Sequence, residues 1–244
     1  MDIIVQKFGG SSLKDIKCLN KVADIIINEY EKGSNVVVVV SAQGNMTNKL
    51  IEEELEITKE ANMREHDFLV SVGEQISAAK LSMLLQEIGY DSIAYTGWQL
   101  PIITNKNFGN ADIIEINVKK IEKSLKENKI VIVTGFQGVD RDNEITTLGR
   151  GGSDTTAVFL AYALKAKECQ IYTDVDGVYT EDPNSIGNNA KKFDYISYEN
   201  MLDLANNGAK VMHNKSIEVA KKYQVRIIVK STFDTIKAGT VIGE

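Results

Sequence analysis

Six short stretches of the 244-residue chain place lysine, arginine, carboxylate, hydroxyl and glycine at spacings suited to phosphate or carboxylate chemistry. In "KFGGSS", Lys7 ends an apolar run and precedes Gly9 and Gly10, which let the backbone approach an anion, while Ser11 and Ser12 open a helix. Amides at a helix start bind phosphate and Lys7 would add a charge. The same letters also fit a plain strand-to-helix turn, with a serine as cap. "TTLGRGGSDTTA" (146–157) repeats the device, with glycines around Arg150 before Ser153, Asp154 and two threonines. A guanidinium matches a carboxylate or phosphate in bidentate fashion, although Ser153 and Asp154 could serve only the cap and the helix dipole.

"YTDVDGVYTEDPN" (172–184) follows a strand and could hold a purine by stacking on Tyr179 and by backbone hydrogen bonds. A hairpin around Asp176-Gly177 is the simpler alternative, and the stretch lacks the length and terminal glutamate of an EF-hand loop. Three more stretches are "SAQG" (41–44), "GEQIS" (73–77) and "NGAKVMHNKS" (207–216). Ser41 and Gly44 would sit at a strand's carboxyl end, where open α/β sheets bind ligands. Glu74 could be a first-turn dipole residue, and Lys210 a solvated charge. Neither G-x-x-x-x-G-K-[ST] nor G-x-G-x-x-G occurs. With His66 and His213 the only histidines, a histidine triad or multi-histidine metal site is disfavoured.

Alternating strands and helices must position these stretches. "DIIVQKF" reads as a strand, and 12–30 as a helix with Leu13, Ile16, Leu19, Ala23, Ile26 and Ile27 on one face. The runs "NVVVVVSA" and "KIVIVT" predict strands buried on both faces, so helices must cover both sides of a sheet. Residues 68–88 and "NVKKIEKSLKE" predict helices, "SIAYT" a strand, and 101–116 and 135–148 hairpins that could close over a ligand. After Gly152 come a helix, the strand "CQIYT", a turn-rich segment, helices near 198–206 and 215–222, and the strand "VRIIV".

Composition narrows the function classes. Twenty-eight basic and 34 acidic residues give a net charge of −6, with cations scattered singly, which argues against nucleic-acid or membrane partners. Cys18 and Cys169 read as buried free thiols of a reducing compartment. "MDIIVQKF" lacks the features of a signal peptide, and no apolar run is expected to span a bilayer, so a cytoplasmic location is expected.

Taken in order, "KFGGSS", "VSAQG", "SVGEQIS", "TGWQ", "GFQG", "TTLGRGGSDTTA", "YTDVDGVYTEDP" and "GAKVMH" closely resemble the catalytic domain of aspartate kinases, across essentially the whole chain. The resemblance implies the amino acid kinase fold, a three-layer α/β/α sandwich with a mostly parallel central sheet. It implies one domain over 1–244, with an amino-acid lobe to about residue 147 and a nucleotide lobe from about 148. It also implies transfer of the ATP γ-phosphoryl group to the side-chain carboxylate of L-aspartate, with Mg²⁺ bound mainly through the ATP phosphates. By the same resemblance, Lys7, Gly9, Gly10 and Ser11 would hold phosphates and Asp154 would orient Lys7. Glu74 would pair with the substrate ammonium, and Arg150 would clamp its carboxylate. Ser41 and Ser153 would add hydroxyls, and Phe136 would wall the pocket. Thr173, Asp174, Tyr179, Asp182 and Lys210 would line the nucleotide site. Asn184 departs from the family, which usually has arginine there. Most family members continue into paired ACT domains. The chain is therefore expected to lack amino-acid feedback and to form a homodimer or pair with a separate ACT-domain chain. Another carboxylate kinase of the same fold, or an inactive regulatory subunit, are the competing readings.

Overall fold

Two apolar runs, Asn35–Val40 and Ile130–Thr134, set the centre of the fold, because strands this apolar must be covered on both faces. The computed structural model describes residues 2–181, 190–208 and 211–244. In chain order the strands are β1 (Ile3–Phe8), β2 (Asn35–Val40), β3 (Ser92–Tyr95), β4 (Ile102–Thr104), β5 (Ile113–Ile116) and β6 (Ile130–Thr134). They continue with β7 (Gln137–Val139), β8 (Ile145–Thr147), β9 (Glu168–Thr173), β10 (Tyr195–Ser197), β11 (Ile227–Ser231) and β12 (Thr240–Gly243). The helices are α1 (Ile16–Glu31), α2 (Met46–Ile57), α3 (Met63–Val70) and α4 (Val72–Glu87), then α5 (Lys119–Lys126), α6 (Gly152–Ala163), α7 (Tyr198–Asn206) and α8 (Asn214–Tyr223).

Eight strands form one sheet in the order β10-β12-β11-β9-β1-β2-β6-β3, parallel throughout except where β11 meets β12. Side chains alternate along each strand. Val36, Val38 and Val40 therefore pack with α1 and α4, while Val37 and Val39 join Val5, Ala157 and Val158 beneath α6. This is the three-layer α/β/α arrangement. The hairpins expected at 101–116 and 135–148 form a second sheet, β5-β4-β7-β8, in which the two hairpins pair in parallel through β4 and β7.

Several local expectations change. Ser11 and Ser12 do not open the long helix but lie in a 3-10 turn, Gly10–Leu13, and α1 starts at Ile16 with Asp15 accepting from the Cys18 amide. Leu13 is therefore buried from the turn rather than from the helix, and Ile16 is 63% exposed. Helix α2 and the short strands β10 and β12 were not foreseen. The stretch Met63–Glu87, which spans α3 and α4, is long and apolar enough by length and composition to cross a membrane, contrary to expectation. Half of its most apolar window is buried in the fold, where Leu81 and Leu85 pack on the sheet. Cys18 and Cys169 are free and buried, as expected.

Candidate active site

Strand parity puts the first charge in place. Lys7 shares a face of β1 with Val5, the face that α6 covers, so its side chain emerges beneath the first turn of that helix. There Lys7 Nζ lies 2.7 Å from Asp154 Oδ1, and both side chains are nearly buried. The ion pair joins the two glycine-rich turns and sits in a cavity of about 1080 Å³, at the upper end of small-molecule sites. Gly10 lines the same cavity, close under the chain at Ala42 and Gly44. Gly9 adjoins Lys7 Nζ, whereas Ser11 points to solvent. Ser12 is the buried serine, with its hydroxyl 2.7 Å from that of Thr232.

Glu74 opens into the cavity from the start of α4 and is 3% exposed. Its Oε1 accepts from the Ala42 amide at 2.9 Å, next to Ser41, which also lines the cavity. Its Oε2 has no partner among the described residues. Burial pushes the carboxyl up to about 8, against the pull of the Ala42 amide. A buried carboxylate oxygen left bare is costly unless a donor or cation arrives.

The second turn supplies a free cation and free amides. Arg150 is exposed and forms no ion pair among the described residues. Gly151 takes the cap position of α6 in a left-handed conformation, φ 70°, with no side-chain cap. The alternative in which Ser153 only caps the helix is therefore not realised. Gly152 N donates to Gly149 O and Thr155 N to Gly151 O, which leaves the Ser153 and Asp154 amides without an intrahelical acceptor at the cavity edge. Phe136, between β6 and β7, holds φ 69°, a conformation a non-glycine residue rarely takes, and its ring borders Gly152. Its amide is held by Thr156 Oγ1 at 3.2 Å.

The remaining residues assigned by resemblance are less closely gathered. Thr173 ends β9 and Asp174 and Tyr179 follow it, but all three lie outside the lining of this cavity. Thr173 Oγ1 donates to Asp174, and Tyr179 donates to Asp176 Oδ1 at 2.6 Å. That hydroxyl, ahead of Lys237 at 2.9 Å, holds the Asp176 carboxyl below its usual range. Asp182, Asn184 and Lys210 lie outside the described residues. Sequence reasoning missed Thr47 and Asn48 of α2, and gave no role at the site to His66 of α3, although all three line the cavity. No motif marks them, and only the position of Thr47 and Asn48 just after "SAQG" hinted at it.

Comparison with known proteins finds relatives in both sequence and fold. Residues 2–231 match the amino acid kinase family. Aspartokinase of Bacillus sp. (strain MGA3) is 50% identical over 244 residues, covering 100% of this chain and 59% of that protein. The chain thus spans about three fifths of the length of that relative. Among solved structures, aspartate kinase from Synechocystis superposes with a TM-score of 0.88 at 41% identity, over 99% of this chain and 39% of that one. E. coli aspartokinase III, in complex with aspartate and ADP, superposes at 0.89 with 29% identity, over 100% of this chain and 65% of that one. In sequence and in fold, this chain belongs to the amino acid kinase family.

Proposed function

We propose that the chain transfers the γ-phosphoryl group of ATP to the side-chain carboxylate of L-aspartate, giving 4-phospho-L-aspartate and ADP. The observation that carries this reading is the bare, buried Oε2 of Glu74 in the cavity that also holds the Lys7–Asp154 pair and the free Arg150. An α-amino dicarboxylate answers all of these groups, with its ammonium on Glu74, one carboxylate on Arg150 and the other directed toward Lys7. The E. coli relative, solved in complex with aspartate and ADP, supports aspartate and a nucleotide as the ligands.

A carboxylate is already ionised at neutral pH, so no general base is needed to make the nucleophile. Positioning and charge neutralisation then dominate phosphoryl transfer. Lys7, oriented by Asp154, would meet the transferring phosphoryl oxygens, while the Gly9-Gly10 turn and the free amides of α6 present hydrogen-bond donors. Ser41 and Ser153 would add hydroxyls and Phe136 would wall the amino-acid pocket. By family correspondence, Thr173, Asp174, Tyr179, Asp182 and Lys210 would hold the nucleotide, so residues to about 147 would form the amino-acid lobe and those from about 148 the nucleotide lobe, with Lys7, Gly9 and Gly10 reaching the phosphates and Arg150 and Ser153 the amino acid across that boundary. The described residues include no cluster of three or more acidic, histidine or cysteine side chains that could hold a metal. Mg²⁺ would arrive on the nucleotide's phosphates, where it supplies charge neutralisation. Two free thiols fit a cytoplasmic setting.

Hydroxylamine trapping of an acyl phosphate, with ATP, Mg²⁺ and L-aspartate, L-glutamate or N-acetylglutamate, together with ADP release for these and for uridylate, whose product is not an acyl phosphate, tests the proposal. Hydroxamate should form with aspartate, whereas turnover only with another acceptor would overturn the substrate. Binding without turnover of any acceptor would instead favour a regulatory subunit.

A further inference from the structure

Helix α2 brings Thr47, Asn48 and Ile51 to the cavity wall, yet none of its residues is buried, and Leu55 and Ile57 are 55% and 85% exposed. An unburied helix has little hydrophobic reason to stay in one place, because helices in proteins are held chiefly by packing. The segment leading into it is tied down: Gln43 Nε2 donates to Leu13 O at 2.7 Å, and Lys80 donates to Gln43 Oε1 at 2.7 Å. At its other end, Glu54 Oε2 lies 2.6 Å from His66 Nδ1, with side-chain exposures of only 15% and 18%. Since an ionised carboxylate only accepts, Nδ1 is the donor in that state of Glu54.

His66 stands on a firm support. Beside it on α3, Arg64 Nε donates to Glu144 at 2.7 Å, and buried Asp67 accepts from the amides of Gly109 and Thr147 and from the Thr147 hydroxyl. Helix α3 is thereby fixed to the small sheet, and His66 extends that fixity to α2.

We propose that His66, braced on Glu54, is a positioning residue that holds α2 over the amino-acid end of the cavity and so sets the affinity for the amino-acid substrate. The kinetic arm rests on the function proposed above. Replacing His66→Ala should raise the KM for L-aspartate about tenfold, the scale of one charge-assisted hydrogen bond. The KM for ATP and kcat should stay within about twofold. Amide hydrogen exchange should speed up across residues 46–57 and stay unchanged across 72–87. His66→Gln, which keeps a donor, should recover part of the affinity. Glu54→Gln should cost about as much as His66→Ala, and the double variant no more than either single one.

Unchanged exchange in α2, an equal rise in both KM values, or additive single effects would each overturn the brace. If the unaltered protein makes no acyl phosphate from aspartate, the proposed activity falls, and the exchange measurements still decide whether His66 holds α2.

Discussion

The two glycine-rich turns that meet at the Lys7–Asp154 pair look interchangeable on paper and are built differently. In the first, Gly9 has ordinary extended backbone angles, and a Cβ on Gly10 would fall 2.8 and 2.9 Å from the carbonyl oxygens of Ala42 and Gly44. What that turn needs from glycine is absence of bulk, because another chain segment lies against it. In the second, Gly149 and Gly151 hold φ 73° and 70°, angles that cost a side chain strain and that swing the α6 amides free. The first turn is clamped, with Ser12 hydrogen-bonded to Thr232, while the second exposes Arg150. Gly149 and Gly151 are also closely approached, by Asn110 and His213, so composition alone does not distinguish a turn that must only be thin from one that must be left-handed as well.

If the clamped turn serves the phosphoryl group and the open one serves the amino acid, substitutions should divide accordingly. Lys7→Ala should show the largest effect, lowering kcat about 10³-fold with the aspartate KM changed only a few-fold, as for loss of a group acting on the transition state. Comparable losses in both parameters, measured by steady-state kinetics, would dissolve the division. Next comes Gly10→Ala, expected to cut kcat/KM for ATP about 10²-fold and to cost about 1–3 kcal/mol in urea unfolding, since backbone rather than a flexible side chain must yield.

Arg150→Ala should raise the aspartate KM about 30-fold, the loss of a charge-assisted contact. It should leave unfolding within about 0.5 kcal/mol, because Arg150 is exposed and has no ion pair among the described residues. The smallest effect is a pH dependence. Glu74 must lose its proton to hold an ammonium, so with its carboxyl at about 8 the aspartate KM should fall about tenfold between pH 7 and pH 9. Stability should move the other way. The folded state holds this proton up to about pH 8 while the unfolded chain releases it near 4.5, so this contribution declines as pH rises through that interval. Glu74→Gln should flatten both trends, and a KM that still follows pH in that variant would assign the titration elsewhere.

The layers of the fold were legible because their signals are strong and local. Valine after valine in β2 admits only a strand with cover on both sides, and the motif-bearing turns fall at strand ends, where a parallel sheet exposes them. The pairing of Lys7 with Asp154 was also within reach, since one ends a strand and the other starts the helix packed on it. Helix α2 was not, because it buries none of its residues and so leaves no periodic stripe to read. Strands β10 and β12 escaped for another reason: they span only three and four residues, too few for alternation to stand out. His66 carried no signal either, because its partner Glu54 is 12 residues away on a different helix, and only folding brings them together.

Lys7 reaches the cavity because it is an odd step from Phe8 and an even one from Val5, on a strand hydrogen-bonded to β2 and β9 on its two sides. That arithmetic restricts how this segment can change over time. Point substitutions at Ile3, Ile4 or Val5 alter packing and leave the lysine on its face. Deletion or insertion of one residue within the strand while the pairing is kept would turn the ammonium toward α1 and put Phe8 or Gln6 under α6. The segment can therefore drift in spelling while its length stays frozen, and length variation should gather in surface connections such as the one between α2 and α3.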